Sequence, residues 1–204
     1  MAPPASLTLV RHGETSANVD GVWHGSIDTE LTERGRVQAS RVAQHLTARE
    51  PRPAALYSSP LQRARHTAEA IGNALGLTTQ LRPEIAECDL GEWEGMSYRE
   101  LVGTHKLFQR MSRDPDFQPG GGESPRQVAT RTASALRSIA AAHSGESVIV
   151  VAHGGALTLG LGLLLDDDPG TWRRIMDNCA VTELQLSPTP ALLSFNETTH
   201  LDGV

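Results

Sequence analysis

Cysteine is scarce in this sequence, and its two examples, Cys88 and Cys179, are far apart and form no CxxC pair. Neither a disulfide framework nor a zinc knuckle is therefore predicted, and we interpret both residues as free thiols. Long apolar runs are missing as well, since none approaches the ~20 residues that a membrane-spanning helix requires. The opening stretch MAPPASLTLV has neither the basic region nor the long apolar region of a signal peptide. We therefore expect a cytoplasmic protein with no membrane partner.

An excess of basic residues is also absent. The chain has 18 Lys and Arg residues against 24 Asp and Glu residues, which gives a net charge of -6 at pH 7. Nucleic-acid binding requires a basic face that neutralises phosphates, so a nucleic-acid partner is not expected. Any anion site must be a local positive pocket in an acidic protein.

What the sequence contains instead is an alternation of apolar runs and amphipathic stretches, which is the pattern of an α/β layer architecture. The clearest run is SVIVVAHG, whose continuous Val and Ile residues are typical of a strand covered on both faces. We predict a three-layer α/β/α sandwich with a mostly parallel central sheet. The length of 204 residues fits one domain over residues 1–204. The predicted strands are residues 7–10, 54–58, 148–152, 181–186 and 192–195.

Three stretches carry helix signals. In the stretch that begins at Ser124, that residue can cap, Pro125 takes the first helical position and Gln127 completes a capping box. The stretch SPLQRARHTAEAIGNALG repeats this signature from Ser59, with Gly76 as its stop. Apolar residues on one helical face are Val128, Thr132, Ala135, Leu136 and Ile139 in the first stretch, and Val37, Ala39, Val42, Ala43 and Leu46 in a third stretch over residues 32–46.

Residues 91–122 differ from the rest of the chain, because their periodicity is weak and DPDFQPGGGES lies near their end. We predict that they form a lid or insertion and not a second domain. Four apolar side chains of this region belong either to a small core or to a wall for the substrate: Trp93, Phe108, Met111 and Phe117. Arg110 and Arg113 are candidates to recognise a substrate carboxylate, although solvated surface is the simpler interpretation.

The strand ends carry the chemistry. LTLVRHG and VIVVAHGG are both apolar strands followed at once by histidine and glycine. In an open α/β sheet ligands bind outside the carboxyl ends of the strands, so Arg11, His12 and His153 are expected to project into one crevice. Arg63 lies in the first turn of the helix after a third strand, where exposed amides add positive potential. Forked guanidinium donors match phosphate oxygens, so we predict a phosphoryl group as the ligand.

Each of these residues also has a simpler explanation. A single histidine at a strand end is more often a turn residue than a catalyst, and Arg63 alone would be part of a solvated helix face. The combination is less easily produced by chance, because two His-Gly pairs and two arginines stand at strand ends.

A series of motifs runs in order from about residue 7 to residue 183: LVRHGET, Asn18, GSIDTELTERGRVQA, SSPLQRARHTAE, EIAECDLGEWEG, GGES and VVAHGG. Together they resemble the histidine phosphatase superfamily, in its phosphoglycerate-mutase-like branch. The resemblance implies that His12 is a nucleophile that forms a phosphohistidine and that Glu87 is the proton donor. No metal or cofactor is expected, because the arginines supply the charge that Mg²⁺ provides in other sites. The residues implied to bind the phosphoryl group or the substrate are Arg11, Asn18, Trp23, Arg63, His153 and Gly154.

Physical chemistry gives further conditions for these roles. A histidine nucleophile needs an unprotonated ring nitrogen, which Arg11 favours by disfavouring the imidazolium form. An acceptor for the opposite ring N–H, expected to be a backbone carbonyl near Gly13, would fix the tautomer. An alkoxide leaving group needs a proton from a carboxylic acid; Glu87 is our choice, with Glu14 and Glu84 as rivals.

Several functions are compatible with such a site. In this family the phosphohistidine either meets water or returns its phosphoryl group to a bound product, as in a cofactor-dependent phosphoglycerate mutase. The resemblance implies a longer stretch between acid and second histidine in true mutases than between Glu87 and His153. We therefore predict hydrolysis of small phosphomonoesters, and DTELTERGR and NCAVTEL are similar to bacterial phosphatases of sugar phosphates and phosphoglycerate derivatives. His24 departs from the glutamine more often expected there, which bears on the identity of the substrate.

Three further questions stay open at this point. A non-catalytic module that binds a phosphorylated metabolite is one alternative, but both His12 and Glu87 are present. A metalloenzyme that uses His12, His24 and His153 is another, but no HExxH or other ligand spacing occurs. The apolar run at residues 192–195 either pairs between two subunits of a homodimer or simply finishes the sheet.

Overall fold

The computed structural model describes residues 3–168 and 174–204, and these residues build a central β-sheet covered by helices. Its strands are β1 Ser6–Arg11, β2 Ala55–Ser58, β3 Thr79–Leu81, β4 Ser147–Ala152, β5 Val181–Gln185 and β6 Ala191–Glu197. They lie in the order β3-β2-β4-β1-β5-β6. Strands β1 to β4 run parallel to one another, whereas β5 and β6 are antiparallel to their neighbours. The predicted mostly parallel sheet is confirmed.

The five predicted strands are all present, and their ends differ from the predicted ones by at most two residues. The sequence analysis missed β3. This edge strand has only three residues, and all of them are half-buried or exposed, so no buried apolar run marks it. Strand β6 forms the opposite edge.

Helices cover both faces of the sheet. Within the described residues they are α1 Ser16–Asp20, α2 Glu33–Thr47, α3 Gln62–Leu75, α4 Tyr98–Gly103, α5 Leu107–Arg113, α6 Pro125–Ala142 and α7 Gly154–Leu165. On one face, Leu7 and Leu9 pack with α6 and α7 in a buried cluster. On the other face, Val10 and Ile149 pack with α2 and α3. This alternation along the strands produces the predicted three layers. No helix in the described part of the chain is long and apolar enough to cross a membrane.

The helix ends test the capping predictions. Helix α6 begins with the predicted capping box. The hydroxyl of Ser124 accepts a hydrogen bond from the backbone N–H of Gln127, and the side chain of Gln127 accepts one from the backbone N–H of Ser124. Helix α3 ends at Gly76 in the left-handed conformation, as predicted. Its predicted cap is wrong, because Leu61 is the N-cap residue and makes no side-chain capping bond. The hydroxyl of Ser59 is hydrogen-bonded to His153 at 2.7 Å and accepts from the backbone N–H of Leu61, before the helix begins. The backbone N–H of Gln62, the first residue of α3, donates to Asp28 at 2.8 Å.

The apolar face of α6 is buried as predicted, and so is that of α2 with one exception. Val37 is 42% exposed, so its assignment to the apolar stripe of α2 is wrong. Val37 lies five residues before Val42 and nine before Leu46, and neither separation is the three or four residues that place side chains next to each other on one helical face. The side chain of Val37 therefore points away from the buried row that Val42 and Leu46 form.

Residues 91–122 fold into α4, α5 and two short 3₁₀ turns, Gly91–Trp93 and Pro119–Gly121. The two ends of this segment touch. A Cβ atom at Gly91, whose φ is +54°, would lie 2.2 Å from the carbonyl oxygen of Gly120, so this approach requires glycine. Leu101 and Leu107 pack with α6 and α7 in a third buried cluster. The segment therefore rests on the main fold; its function as a lid and the single-domain assignment remain predictions.

Candidate active site

The carboxyl ends of β1 and β4 bring two histidines together. Arg11 lies opposite Ala152 in the parallel register, so the next residues, His12 and His153, emerge side by side. Their ring centroids are 5.1 Å apart. Arg63 lies in the first turn of α3, the helix that follows β2. The structure thus places these side chains at one edge of the sheet.

A cavity of about 370 Å³ opens at this edge. Seven of the eight predicted site residues line it: Arg11, His12, Asn18, Trp23, Arg63, Glu87 and Gly154. The eighth, His153, is fully buried behind this wall and is not part of the cavity lining.

His12 is held in the tautomer that a nucleophile needs. Its Nδ1 atom lies 2.7 Å from the carbonyl oxygen of Gly13, the acceptor that the sequence analysis expected. Since a carbonyl only accepts hydrogen bonds, Nδ1 carries the hydrogen and Nε2 keeps its lone pair. Burial holds the pKa of His12 well below its usual value, and the positive charges of Arg11 and Arg63 lower it further. The imidazole is therefore neutral.

Arg11 supplies positive charge to the cavity and an N–H donor that has no partner among the described residues. One terminal nitrogen donates to the carbonyl oxygen of Met176 at 2.6 Å, whereas the buried Nε has no hydrogen-bond partner among the described residues. Burial lowers the pKa of this guanidinium, and the charge of Glu87 acts in the opposite direction. An arginine side chain remains charged in proteins, so an unpartnered buried N–H of this kind suits an anion.

Arg63 has a largely structural set of bonds. Its Nε donates to Nδ1 of His153 at 3.2 Å. Its terminal nitrogens donate to the carbonyl oxygens of His24, Gly25 and Ile27. These bonds use four of the five N–H donors and fix the loop that forms one wall of the cavity.

Both ring nitrogens of His153 are hydrogen-bonded within the protein. Because Nδ1 accepts from Arg63, Nε2 carries the hydrogen and donates to the hydroxyl of Ser59 at 2.7 Å. Burial holds the pKa of His153 well below its usual value, with further lowering by Arg63 and His12. A direct bond from His153 to a phosphoryl group would have to replace one of these two hydrogen bonds.

Glu87 lies against the first turn of α7. Its Oε1 accepts hydrogen bonds from the backbone N–H groups of Cys88 and Ala156, and its Oε2 accepts one from Gly155 at 3.0 Å. A Cβ atom at Gly155 would lie 2.6 Å from Oε1, so a larger residue at this position would displace the carboxylate. Oε2 accepts one hydrogen bond fewer than Oε1 and can therefore carry a proton, and Glu87 lines the cavity.

The rival carboxylates lie elsewhere. Glu14 accepts hydrogen bonds from Thr32 and Arg34, and the side chain of Glu84 is exposed. Neither residue lines the cavity.

Asn18 and His24 complete the wall. Asn18 accepts from the backbone of Thr15 through Oδ1 in the capping box of α1, which leaves its amide N–H groups directed elsewhere. His24 lines the cavity, and its buried Nδ1 has no partner among the described residues.

Sequence reasoning missed Asn178. Its amide nitrogen donates to the backbone oxygen of His12 at 3.0 Å and to Oδ1 of Asn18 at 3.2 Å. This residue precedes β5, which pairs antiparallel with β1 and so returns next to His12. Asn178 opens the motif NCAVTEL, but its role cannot be read from that motif, because the contact spans more than 160 positions.

The four apolar side chains of residues 91–122 divide between the two predicted roles. Trp93 and Phe117 pack on the third buried cluster, whereas Phe108 lines a second cavity beside the first, and Met111 belongs to both the cluster and the lining of that cavity. Arg110 stacks on Phe117, with its guanidinium carbon 3.8 Å from the ring centroid. Arg113 lines the second cavity.

Metal ligands are not gathered in the part of the chain that the structure describes, where no group of three or more His, Cys, Asp or Glu side chains is placed to hold a metal ion. The positive charge in the cavity comes from the arginines.

An α/β/α sandwich with a neutral, oriented histidine under an arginine at the carboxyl edge of its sheet defines a class of phosphoryl-transfer domain. The chain belongs to the histidine phosphatase superfamily (branch 1), which matches residues 7–198. The resemblance seen in the sequence is thereby confirmed.

Individual relatives agree with this assignment. A metal-independent phosphoserine phosphatase from Arabidopsis thaliana is 40% identical over 156 residues, which cover 74% of this chain and 65% of that protein. A glucosyl-3-phosphoglycerate phosphatase from Mycobacterium tuberculosis is 32% identical over 189 residues, or 87% of this chain and 84% of that protein. The structure of a phosphoserine phosphatase from Entamoeba histolytica in complex with 3-phosphoglyceric acid superposes with a TM-score of 0.86. It is 30% identical and covers 97% of this chain and 99% of that one.

Proposed function

We propose that this chain is a phosphatase that hydrolyses small phosphomonoesters through a phosphohistidine on His12. The observation that carries the proposal is the Nδ1 contact of His12 with the Gly13 carbonyl, which leaves Nε2 as a buried, unprotonated nucleophile. The relatives that act on phosphoserine and glucosyl-3-phosphoglycerate support a small phosphorylated metabolite as the substrate.

In the first step Nε2 of His12 attacks phosphorus, and the bond from phosphorus to the ester oxygen breaks. Charge spreads over the remaining phosphoryl oxygens, where preorganised donors contribute about 10²- to 10³-fold each in comparable sites. Arg11 is the main donor, because its Nε lacks another partner among the described residues. Asn18 and Gly154 line the same cavity and have N–H groups that can donate to phosphoryl oxygens.

His153 and Arg63 act in this scheme chiefly by orientation. The bond between them holds Arg63 against the loop at residues 24–27, and the ring of His153 packs beside that of His12. Arg63 keeps the cavity positive, whereas His153 is neutral and adds no charge beside the nucleophile.

The leaving oxygen takes its proton from Oε2 of Glu87, the oxygen with the smaller number of backbone bonds. In the second step a water molecule attacks the phosphohistidine, Glu87 takes the proton of that water, and the bond from Nε2 to phosphorus breaks. Inorganic phosphate leaves, and both side chains return to their starting forms.

A direct test is to trap the adduct. The protein is mixed with p-nitrophenyl phosphate, quenched, and examined by mass spectrometry for a phosphoryl group that is labile in acid and stable in base. We expect one such group on His12, and loss of both the adduct and at least about 10³-fold of the activity in His12→Ala and His12→Asn.

His66→Ala is the matched control, because His66 lies on α3 and does not line the cavity. It should keep the adduct and the activity. Full activity in the His12 variants, or turnover of the native protein without a histidine adduct, would overturn the proposal. With 3-phosphoglycerate as the substrate, 2-phosphoglycerate as the product in place of inorganic phosphate would identify a mutase.

A further inference from the structure

A second cavity, of about 470 Å³, opens directly beside the cavity that Arg11 and His12 line, which we call the anion cavity. The two share four lining residues, Trp23, Tyr98, Gly155 and Ile175. Its volume falls in the range of ligand sites in proteins, ~300 to 1,000 Å³. The two cavities are therefore neighbouring compartments of one site.

The position of Glu87 determines what each compartment holds. Gly155, on the shared wall, donates its backbone N–H to Oε2 of Glu87. If Oε2 protonates the ester oxygen, that oxygen lies at the junction of the compartments. The phosphoryl group occupies the side of Arg11 and His12, so the rest of the leaving group extends into the second cavity.

The lining of the second cavity is largely aromatic and aliphatic. The rings of Trp23 and Tyr98 are parallel within 2°, and Phe108 packs against both at centroid distances of 6.1 and 5.7 Å. Leu90 and Leu159 line the same cavity. Aromatic rings of this kind bind other apolar rings through area burial and edge or offset contacts.

Polar partners are few. Among the described lining residues Arg113 alone carries a charge, and its side chain is exposed. The hydroxyl of Thr158 already donates to the carbonyl oxygen of Arg174 at 3.0 Å. Arg110, the other candidate for a substrate carboxylate, is stacked on Trp93 and Phe117 outside the cavity. Gln109 and Ser112 are the other polar side chains of the lining, and Gln109 is exposed. A leaving group rich in hydroxyls or carboxylates would therefore lose more hydrogen bonds to water here than the lining replaces.

We infer that the preferred substrates are phosphomonoesters of apolar, ring-bearing alcohols, whose ring is bound by Trp23, Tyr98 and Phe108. This inference rests on the proposed function, because it assigns the leaving group of that reaction. Such esters differ from the substrates after which the relatives are named, phosphoserine and glucosyl-3-phosphoglycerate, whose leaving groups are polar.

The test compares two alkyl esters of similar intrinsic reactivity, 2-phenylethyl phosphate and glycerol 1-phosphate. We expect kcat/KM to favour the phenylethyl ester by at least about tenfold, the size of discrimination that apolar pockets supply. Phosphoserine and 3-phosphoglycerate are measured in parallel and should resemble glycerol 1-phosphate.

Phe108→Ala should reduce this preference to about threefold or less, mainly through KM for the phenylethyl ester, with little effect on the glycerol ester. Phe117→Ala is the matched control, because it removes the same ring from the same segment outside the cavity. It should leave the ratio of the two kcat/KM values unchanged. Phe108→Leu keeps an apolar side chain and provides a second variant if the alanine protein does not fold.

The outcomes separate the two proposals. Equal kcat/KM values, or a preference for the polar esters, with the His12 adduct still present, would overturn the substrate assignment alone. A preference that Phe108→Ala and Phe108→Leu leave intact would also overturn it. Absence of hydrolysis and of the adduct with every ester would overturn the proposed function itself.

Discussion

At the scale of single residues, Glu87 is the only carboxylate among the described residues that line the anion cavity. We expect Glu87→Gln to lower kcat/KM for glycerol 1-phosphate by about 10²- to 10⁴-fold, because an alkoxide must be protonated as it leaves. The loss for p-nitrophenyl phosphate should be much smaller, since nitrophenolate leaves without a proton. Steady-state kinetics with both esters check this prediction.

Glu84→Gln is the control for that comparison, because its side chain is exposed and close in sequence. It should behave as the native protein with both esters. Equal losses for the two esters in Glu87→Gln would show that the carboxylate orients α7 and does not act as the acid.

At the scale of elements, Arg131 on α6 ties the loop that carries Glu87 to the rest of the fold. It donates to the backbone oxygens of Glu84, Ala86 and Glu87 and is paired with Glu123 at 2.8 Å. The Arg131 contact lowers the pKa of Glu123 against the raising effect of burial. Glu123 in turn accepts from the backbone of Asp89, so the ion pair holds both sides of the loop.

We expect Arg131→Gln to lower kcat for alkyl esters by about tenfold with a smaller change in KM, because Glu87 loses its position and the phosphate donors do not. The discriminating readout is again the pair of esters, since p-nitrophenyl phosphate should be affected less.

Arg137→Gln on the same helix is the matched control, because that side chain is exposed. It should change neither kcat nor KM. A loss of thermal stability in Arg131→Gln that accounts for all of its lost activity would contradict a positioning role.

At the scale of the whole molecule, the buried histidines make stability depend on pH. The folded protein holds the pKa values of His12 and His153 well below those of the unfolded chain, mainly through burial. Below about pH 6.5 the unfolded chain therefore binds protons that the folded protein does not. Stability is full above that pH and falls as the pH drops toward the folded values.

Each of these histidines contributes a slope of up to about 1.4 kcal/mol per pH unit. We expect the free energy of unfolding in urea to fall between pH 6.5 and 5.0, a window above the titration of ordinary carboxylates. His45 and His200 shift in the same direction but are only partly buried, so their contribution is smaller.

His153→Gln removes one of the two buried imidazoles and should make the slope shallower by about one proton. An unfolding free energy that stays constant from pH 7.5 to 5.0 would contradict the predicted dependence.

The sequence by itself determined five of the six strands, the capping box of α6 and most of the residues that gather around His12. These features are local. A strand that is buried on both faces is marked by its own continuous run of Val and Ile residues, and Ser124 and Gln127 are bonded within one helical turn. The His-Gly pairs were visible because parallel strands end at one edge, so motifs distant in the chain become neighbours without further information.

Only the tertiary structure decided the rest. Ser59 is hydrogen-bonded to His153 and is not the N-cap of α3. Arg110 stacks on Phe117 and does not line either cavity, and Asn178 donates to His12 although the two residues are far apart in the chain. The apolar second cavity likewise arises where residues 91–122 meet α7. These contacts depend on how separate elements pack, and packing selects one partner among several that are equally acceptable to the local sequence.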